Sequence, residues 1–256
     1  MVDVGTGPPL VLIPGIQGRW EWMQPSVAAL ARDYRVITAS LPGEPGVAAF
    51  DARAGFDQHV AYLDSLLDAS GVQDAIVCGV SFGGLIALRY AARRSGRVRG
   101  LILVSTPGPR WKLKPQQARY VRWPVLSSPM FAAGAVRRGW REVSAMYPTI
   151  GERLSATANT AWRVVRAPAA PRRMGSRAAL AQQQNFEADC QRIQVPTLVV
   201  TGERELDQVV PCEETMEYLE RIQGASFERL ERTGHLGTVL APERFADIVS
   251  RFSRSL

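Results

Sequence analysis

The stretch Cys78-Gly79-Val80-Ser81-Phe82-Gly83-Gly84 decides the fold, because it sets a serine between two glycines at a predicted turn. A short apolar segment, 74–78, precedes the turn and a run of helix-forming residues, 85–92, follows it. Side chains at the glycines two residues before and after the serine would collide with the neighbouring strand and helix. The turn lifts the Ser81 hydroxyl above the sheet, beside a helix N-terminus that favours negative charge. A glycine-rich connection that carries an ordinary serine is the alternative, and the pattern alone leaves both open.

Composition excludes several classes of protein. The chain has 256 residues, of which 46% are apolar, and this is enough for a large buried core. No apolar run reaches the ~18 residues that a membrane span needs, and no basic start followed by an apolar segment indicates a signal peptide. We therefore expect a cytoplasmic protein. The 3 cysteines lack metal-type spacing and there are only 2 histidines, so we expect neither a disulfide framework nor a histidine-rich metal site.

Strands alternate with helices along most of the chain. Strands are predicted at 9–13, 35–39, 74–78, 99–105, 195–201 and 226–230, and helices at 24–32, 56–70, 85–92, 211–222 and 242–252. Such alternation predicts an α/β fold with a mostly parallel, doubly wound sheet. Between 107 and 190 the alternation stops, and only helices are predicted, at 132–146 and 151–165. We therefore predict an α/β core from 1–106 and 191–256 that carries a helical insertion at 107–190.

The second half of the chain supplies candidate partners for the serine. A serine hydroxyl needs an adjacent base, and His235 lies between glycines in a loop after the last predicted strand. A surface or capping role is the alternative for this histidine. The other histidine, His59, falls within a helix, where an ordinary helix-face residue is expected. The base also needs a carboxylate that orients it, and three follow the strand at 195–201, namely Glu203, Glu205 and Asp207.

These features together resemble the α/β-hydrolase family. The order Ser81, Asp207, His235 is similar to that family's nucleophile–acid–histidine order. The stretch Asp207-Gln208-Val209-Val210-Pro211 resembles the step by which the family's acid leads into the next helix. The resemblance therefore implies Asp207 as the acid. The loop after the strand is about two residues longer than is usual in the family, which keeps Glu205 open as the acid.

The resemblance covers about 9–106 and 195–252, and it has two departures. Pro14-Gly15 stands where the family often has His-Gly, and the opening antiparallel strands are absent or reduced to 2–4. The resemblance implies that residues 107–190 form the family's variable helical cap. It also implies an oxyanion hole made by two backbone N–H groups and a substrate pocket beside it. The predicted oxyanion donors are Ile16 and Phe82, and the predicted pocket residues are Gln17 and Trp20.

A serine at the turn implies acyl transfer. Haloalkane dehalogenases and epoxide hydrolases of this fold use an aspartate there. The expected function is hydrolysis of small-molecule carboxylic esters of small or medium acyl chain through an acyl-enzyme, with no cofactor. Alternatives that use the same catalytic triad, Ser81, Asp207 and His235, are a carbon–carbon bond hydrolase, a lactonase and a perhydrolase. A hydrolase-fold sensor that binds a small ligand is the alternative from another class. The sequence leaves the oligomeric state open.

The insertion is basic and rich in tryptophan. Its range 107–190 holds 14 basic and 4 acidic residues. A basic patch can attract nucleic acid, a membrane surface or an acidic substrate. Only 2 of the 31 basic residues are lysines and no nucleic-acid-binding module is recognised, so we expect a solvated surface and no nucleic-acid partner. Four tryptophans are expected in the core of the cap or in the wall of the pocket: Trp111, Trp123, Trp140 and Trp162.

Overall fold

A seven-stranded sheet runs through the part of the chain that the structure describes. The computed structural model describes residues 1–256, apart from the side chains of Gln116 and Phe131. The strands are β1 (Val2–Val4), β2 (Pro9–Ile13), β3 (Arg35–Thr38), β4 (Ala75–Val80), β5 (Val98–Val104), β6 (Thr197–Thr201) and β7 (Ser226–Arg229). Their order is β1-β3-β2-β4-β5-β6-β7, and β1 runs antiparallel to β3 while the other described pairs are parallel. The predicted sheet is confirmed, and the opening antiparallel part is the short strand β1.

Helices cover both faces of this sheet and fill the insertion. They are α1 (Gln24–Leu30), α2 (Gln58–Ala69), α3 (Phe82–Arg93), α4 (Pro115–Arg122), α5 (Ser128–Met146), α6 (Ile150–Arg166), α7 (Pro171–Gln182), α8 (Phe186–Cys190), α9 (Cys212–Arg221), α10 (Gly237–Leu240) and α11 (Pro242–Ser253). Four of these helices have no counterpart among the predicted elements: α4, α7, α8 and the short α10. None of the described helices is long and apolar enough to cross a membrane.

The central strands are apolar on both faces because both faces are covered. All six residues of β4 are buried. Its alternate side chains enter two separate cores: Val77 packs with Val11 on one face, and Cys78 packs with Leu12 on the other. A continuous apolar run of this kind is typical of a parallel strand that has helices on each side. The strand's rigid, buried setting fixes the position of the turn that follows it.

The insertion is tied firmly to the rest of the fold. Leu180 in α7 and Phe186 at the start of α8 pack into the same core as α3 and the sheet. On the opposite side, the indole N–H of Trp22 donates to the backbone carbonyl of Ala167 at 2.8 Å. The predicted helical insertion at 107–190 therefore shares its final turns with the core.

Three of the four tryptophans in the insertion lie at the surface, so the expectation that they form the core of the cap is wrong for them, and their place in a pocket wall stays a prediction. Trp123, Trp140 and Trp162 are 55%, 40% and 60% exposed, whereas Trp111 packs against the core. The reason is clearest in α6. Its half-buried face carries Arg153, whose guanidinium donates to the Tyr147 carbonyl at 2.8 Å, and its apolar stripe lies on the exposed face. That stripe consists of Ile150, Leu154, Trp162 and Val165.

Candidate active site

Ser81 stands on a strained turn between β4 and α3. Its backbone has φ 56° and ψ −122°, a region that residues with a side chain rarely adopt. Two backbone hydrogen bonds hold it there. The N–H of Ser81 donates to the carbonyl of Val104 at 2.8 Å, and the carbonyl of Ser81 accepts from the N–H of Gly84 at 2.8 Å. Strain that is held by its surroundings in this way is found at functional sites.

The glycines of the turn are required by close approach, as predicted. A Cβ at Gly79 would lie 2.6 Å from the Cα of Gly84, in the first turn of α3. A Cβ at Gly83 would lie 2.6 Å from the backbone carbonyl oxygen of Pro14, which follows β2. Strand and helix therefore approach the turn from both sides, and neither glycine can be replaced without moving backbone.

A buried carboxylate holds the imidazole of His235. The Nδ1 of His235 lies 3.2 Å from Oδ2 of Asp207, and Oδ1 of Asp207 accepts the backbone N–H groups of Val209 and Val210 at 3.0 and 2.9 Å. Asp207 is 4% exposed. Glu205 is exposed, so Asp207 is the acid that the structure brings to the histidine. With Nδ1 facing the carboxylate, Nε2 is the nitrogen left free to accept a proton.

The two charges of this pair stabilise each other against the cost of burial. Burial raises the pKa of Asp207, but the nearby His235 and the amides of Val209 and Val210 outweigh it, so the pKa lies below its usual value. Burial lowers the pKa of His235, but the carboxylates of Asp207 and Glu142 outweigh it, so that pKa is raised. The imidazolium is therefore favoured, as a general base requires once it has taken a proton.

The carboxyl ends of three parallel strands bring Ser81, Asp207 and His235 to the same end of the sheet, with β5 lying between the strand of Ser81 and the strand of Asp207. Each of the three follows the carboxyl end of a parallel strand: β4, β6 and β7. The N–H of Glu203, just after β6, donates to the carbonyl of Thr233 at 2.7 Å and so joins the acid's loop to the histidine's loop. Within the described residues, the structure shows no hydrogen bond between the Ser81 hydroxyl and the His235 ring.

The glycine-rich loop after β2 lies against the serine. The N–H of Gly18 donates to the carbonyl of Gly15 at 2.9 Å, which places Ile16 and Gln17 at the tip of a turn. A Cβ built on Gly15 would lie 3.5 Å from the Cβ of Ser81 and 2.8 Å from Oε1 of Gln17. The loop therefore brings Ile16 and Gln17 to the nucleophile's turn.

The other predicted site residues lie near this loop. Phe82 is the first residue of α3 and directly follows Ser81. Trp20 opens a short 3-10 helix, and its backbone N–H donates to the hydroxyl of Ser40 at 3.4 Å. The oxyanion role of Phe82 and Ile16, and the pocket role of Trp20 and Gln17, stay predictions.

The α/β-hydrolase fold family matches residues 8–242. The chain belongs to this family. Among individual proteins, the 2-hydroxy-6-oxo-2,4-heptadienoate hydrolase of Pseudomonas putida is 34% identical over 122 residues, which cover 43% of this chain and 42% of that protein. The chain spans between 5% and 42% of the length of the first curated relatives that it matches.

Solved structures confirm the fold over the whole chain. The enol-lactonase of Burkholderia xenovorans has a TM-score of 0.80 at 21% identity and covers 99% of this chain and 95% of its own. The esterase of Exiguobacterium antarcticum has a TM-score of 0.78 at 20% identity, with 98% and 94% coverage. At these identities the likeness shows the fold and no more.

Arg177 is a buried residue of the site that sequence reasoning missed. It comes from α7 of the insertion and is fully buried. Its guanidinium donates to the backbone carbonyls of Ile16 and Pro42, both at 3.0 Å, and to the Glu44 carboxylate at 2.9 Å. Gly18 makes room for it, since a Cβ there would lie 2.6 Å from the guanidinium carbon. No signal marks this arginine among the many others of the insertion.

Glu142 is a second residue that was missed. It lies on α5 of the insertion and is 1% exposed. Its Oε2 accepts the backbone N–H groups of Gly234 at 3.0 Å and Leu236 at 2.8 Å, the residues on either side of His235. Burial raises its pKa to about 7, although these hydrogen bonds and His235 act in the opposite direction. The only sequence signal is an acidic residue in a strongly basic segment.

His59 lies in the core and not on an ordinary helix face. It is 1% exposed, and its ring meets those of Phe56 and Phe82 edge-on at centroid distances of 5.3 and 5.7 Å. Burial, and then the charge of Arg177, lowers its pKa to about 3, so the ring is neutral. Across the described side chains, no group of three His, Cys, Asp or Glu residues is placed to hold a metal ion.

Proposed function

We propose that the chain is a serine hydrolase that cleaves carboxylic esters of small or medium acyl chain. The observation that carries the proposal is the buried Asp207–His235 pair, which follows neighbouring strand ends at the same end of the sheet as the strained Ser81. A nucleophile, a base and an orienting carboxylate are the groups that acyl transfer needs. The family membership of the chain supports the same assignment.

In the proposed reaction the Ser81 oxygen attacks the ester carbonyl while Nε2 of His235 takes the hydroxyl proton. Asp207 keeps the imidazole in the right tautomer and stabilises the imidazolium. The backbone N–H groups of Ile16 and Phe82 stabilise the oxyanion of the tetrahedral intermediate. His235 then protonates the departing alcohol, and water that it activates hydrolyses the acyl-enzyme. Loss of one oxyanion donor typically costs about 10²–10³ in kcat.

A second candidate is a lactonase or carbon–carbon bond hydrolase that uses the same three residues. The carbon–carbon bond hydrolase is favoured by the similarity to the 2-hydroxy-6-oxo-2,4-heptadienoate hydrolase of Pseudomonas putida. Both reactions include attack on, or hydration of, a carbonyl group and need the same base and oxyanion donors. The choice between them depends on the substrate and not on the triad.

A substrate panel tests the proposal and separates the candidates. We expect kcat/KM to rise from acetyl to butyryl or hexanoyl p-nitrophenyl esters, because each buried CH₂ contributes up to about 0.8 kcal/mol, and then to fall once the acyl chain outgrows the pocket. Ser81→Ala, the matched control, should abolish turnover. Faster turnover of a lactone or of a vinylogous diketone than of any ester would favour the second candidate. A single slow acylation without steady-state turnover would indicate a ligand sensor.

A further inference from the structure

We propose that Glu142, which comes from the cap, is a positioning residue that holds the His235 loop in its catalytic geometry. The proposal rests on the proposed function, because it assigns the support of that function's base. Its carboxylate accepts the N–H of Gly234 and the N–H of Leu236, so a single oxygen bonds the backbone immediately before and immediately after the histidine.

The helix that carries Glu142 is itself fixed to the same loop. Arg232 comes just before the loop and donates to the backbone carbonyls of Ala145 and Met146, at 3.2 and 2.8 Å, at the end of α5. The hydroxyl of Tyr147 donates to the carbonyl of Leu240, just past the loop, at 3.1 Å. Hydrogen bonds therefore run in both directions between the cap helix and residues 232–240. This segment cannot move relative to α5 without breaking several of them.

On its other side the His235 loop packs closely against the loop that carries Asp207. A Cβ at Gly234 would lie 2.5 Å from the backbone carbonyl oxygen of Leu206, next to Asp207. The His235 loop is thus held between the acid's loop and the Glu142 carboxylate. Removal of that carboxylate would leave the buried N–H of Gly234 and the half-buried N–H of Leu236 without an acceptor, which would destabilise this arrangement of the loop.

Glu142 also acts on the charge of the base. The imidazole faces Asp207 directly and Glu142 from the cap side, and both carboxylates raise the pKa of His235, while Arg138 on α5 lowers it. Because the pKa of Glu142 is about 7, its charge is present mainly at and above neutral pH, and there it stabilises the imidazolium. Without that charge the pKa of His235 should fall. The reaction needs neutral His235, so the acid limb of its pH–rate profile would then move to lower pH.

The chain offers an isosteric variant and a matched control. Glu142→Gln keeps the shape and one acceptor oxygen but removes the charge, and Glu142→Ala removes both. Glu152→Gln makes the same change on an exposed glutamate of the insertion, which caps α6 and touches none of the catalytic loops. Any general effect of weakening the cap should appear in this control as well.

Two measurements on the full chain test the proposal. The first is the rate of Ser81 labelling by a fluorophosphonate as a function of pH, which reports the base without assuming a substrate. We expect Glu142→Ala to label at least about tenfold more slowly, and the acid limb of Glu142→Gln to lie at lower pH than in the wild type. The second is an NMR titration of histidine, in which the His235 pKa should be lower in Glu142→Gln and unchanged in Glu152→Gln.

The possible failures are distinguishable. If wild-type Ser81 is not labelled at all, the proposed function is wrong and the positioning role falls with it. If the wild type is labelled, and folded Glu142→Gln and Glu142→Ala show the wild-type rate and pH profile, the positioning role alone is wrong. An unchanged His235 pKa in Glu142→Gln would likewise overturn it, even where Glu142→Ala fails to fold.

Discussion

The guanidinium of Arg177 donates to the backbone carbonyl of Ile16 at 3.0 Å and so fastens the cap to the loop that carries the predicted oxyanion donor. The same guanidinium pairs with the Glu44 carboxylate at 2.9 Å, and both side chains are fully buried. Burial lowers the pKa of Arg177, while Glu44 acts in the opposite direction. The ion pair therefore replaces part of the hydration that each charge loses on folding, while Oε2 of Glu44 and Nε of Arg177 have no hydrogen-bond partner among the described residues.

We predict that Arg177→Met lowers the free energy of unfolding by about 3–5 kcal/mol, because it leaves the Glu44 charge buried without its main partner. The double variant Arg177→Met with Glu44→Gln should recover part of that loss. Arg173→Met is the control, since Arg173 also contacts Glu44, at 3.1 Å, but is 37% exposed and should cost at most about 1 kcal/mol. Chemical denaturation measures all three, and equal losses at Arg177 and Arg173 would contradict the assignment.

The identity of the acid gives a second prediction. Asp207→Asn should lower kcat for ester hydrolysis by about 10²–10⁴, because an amide favours the wrong tautomer of His235. Glu205→Gln should leave kcat within about twofold, because this side chain is exposed and away from the imidazole. Steady-state kinetics of the two variants decide between them. A large loss in Glu205→Gln with little change in Asp207→Asn would show that the acid is misassigned.

The buried His59 gives a prediction about how the free energy of unfolding depends on pH. Its folded pKa is about 3, and in the unfolded chain it is ordinary, about 6.5. As pH falls below that unfolded value, the unfolded chain gains a proton that the folded chain does not, so stability falls by up to about 1.4 kcal/mol per pH unit. His59→Phe should flatten this fall between roughly pH 6.5 and 5, whereas His235→Asn should leave it in place. An undiminished fall in His59→Phe would contradict the neutral, buried state.

The strand–turn–helix around Ser81 and the proximity of Asp207 to His235 could be predicted because their determinants are local, while the catalytic roles of these residues stay predictions. The glycines around Ser81 are required because a strand and a helix meet at this turn, and the sequence predicts both of these elements. Asp207 is recognisable because the residues that follow it, Val209-Val210-Pro211, lead directly into the next helix. Contacts from the insertion could not be predicted. The pattern of α6 shows that Leu154 and Trp162 share a face, but it does not show that this face points outward. Glu142 and Arg177 reach the site only through the packing of whole helices.

Prolines account for part of the missed secondary structure. Pro115 and Pro171 stand at the first position of α4 and α7. Proline is favoured there because its missing N–H has no helical partner to lose. The sequence indicates a turn around Pro168 to Pro171. The chain bends at Ala167 and is irregular at 168–170, and Pro171 already belongs to the helix.

The central claim is that Ser81 is the nucleophile of a serine hydrolase, and covalent labelling tests it most directly. The full chain is treated with a fluorophosphonate, and intact mass and peptide mapping locate the adduct. We predict one adduct per chain, on Ser81, which is lost in Ser81→Ala and formed much more slowly in His235→Ala. Labelling at another residue, or an unchanged adduct in folded Ser81→Ala, would contradict the account.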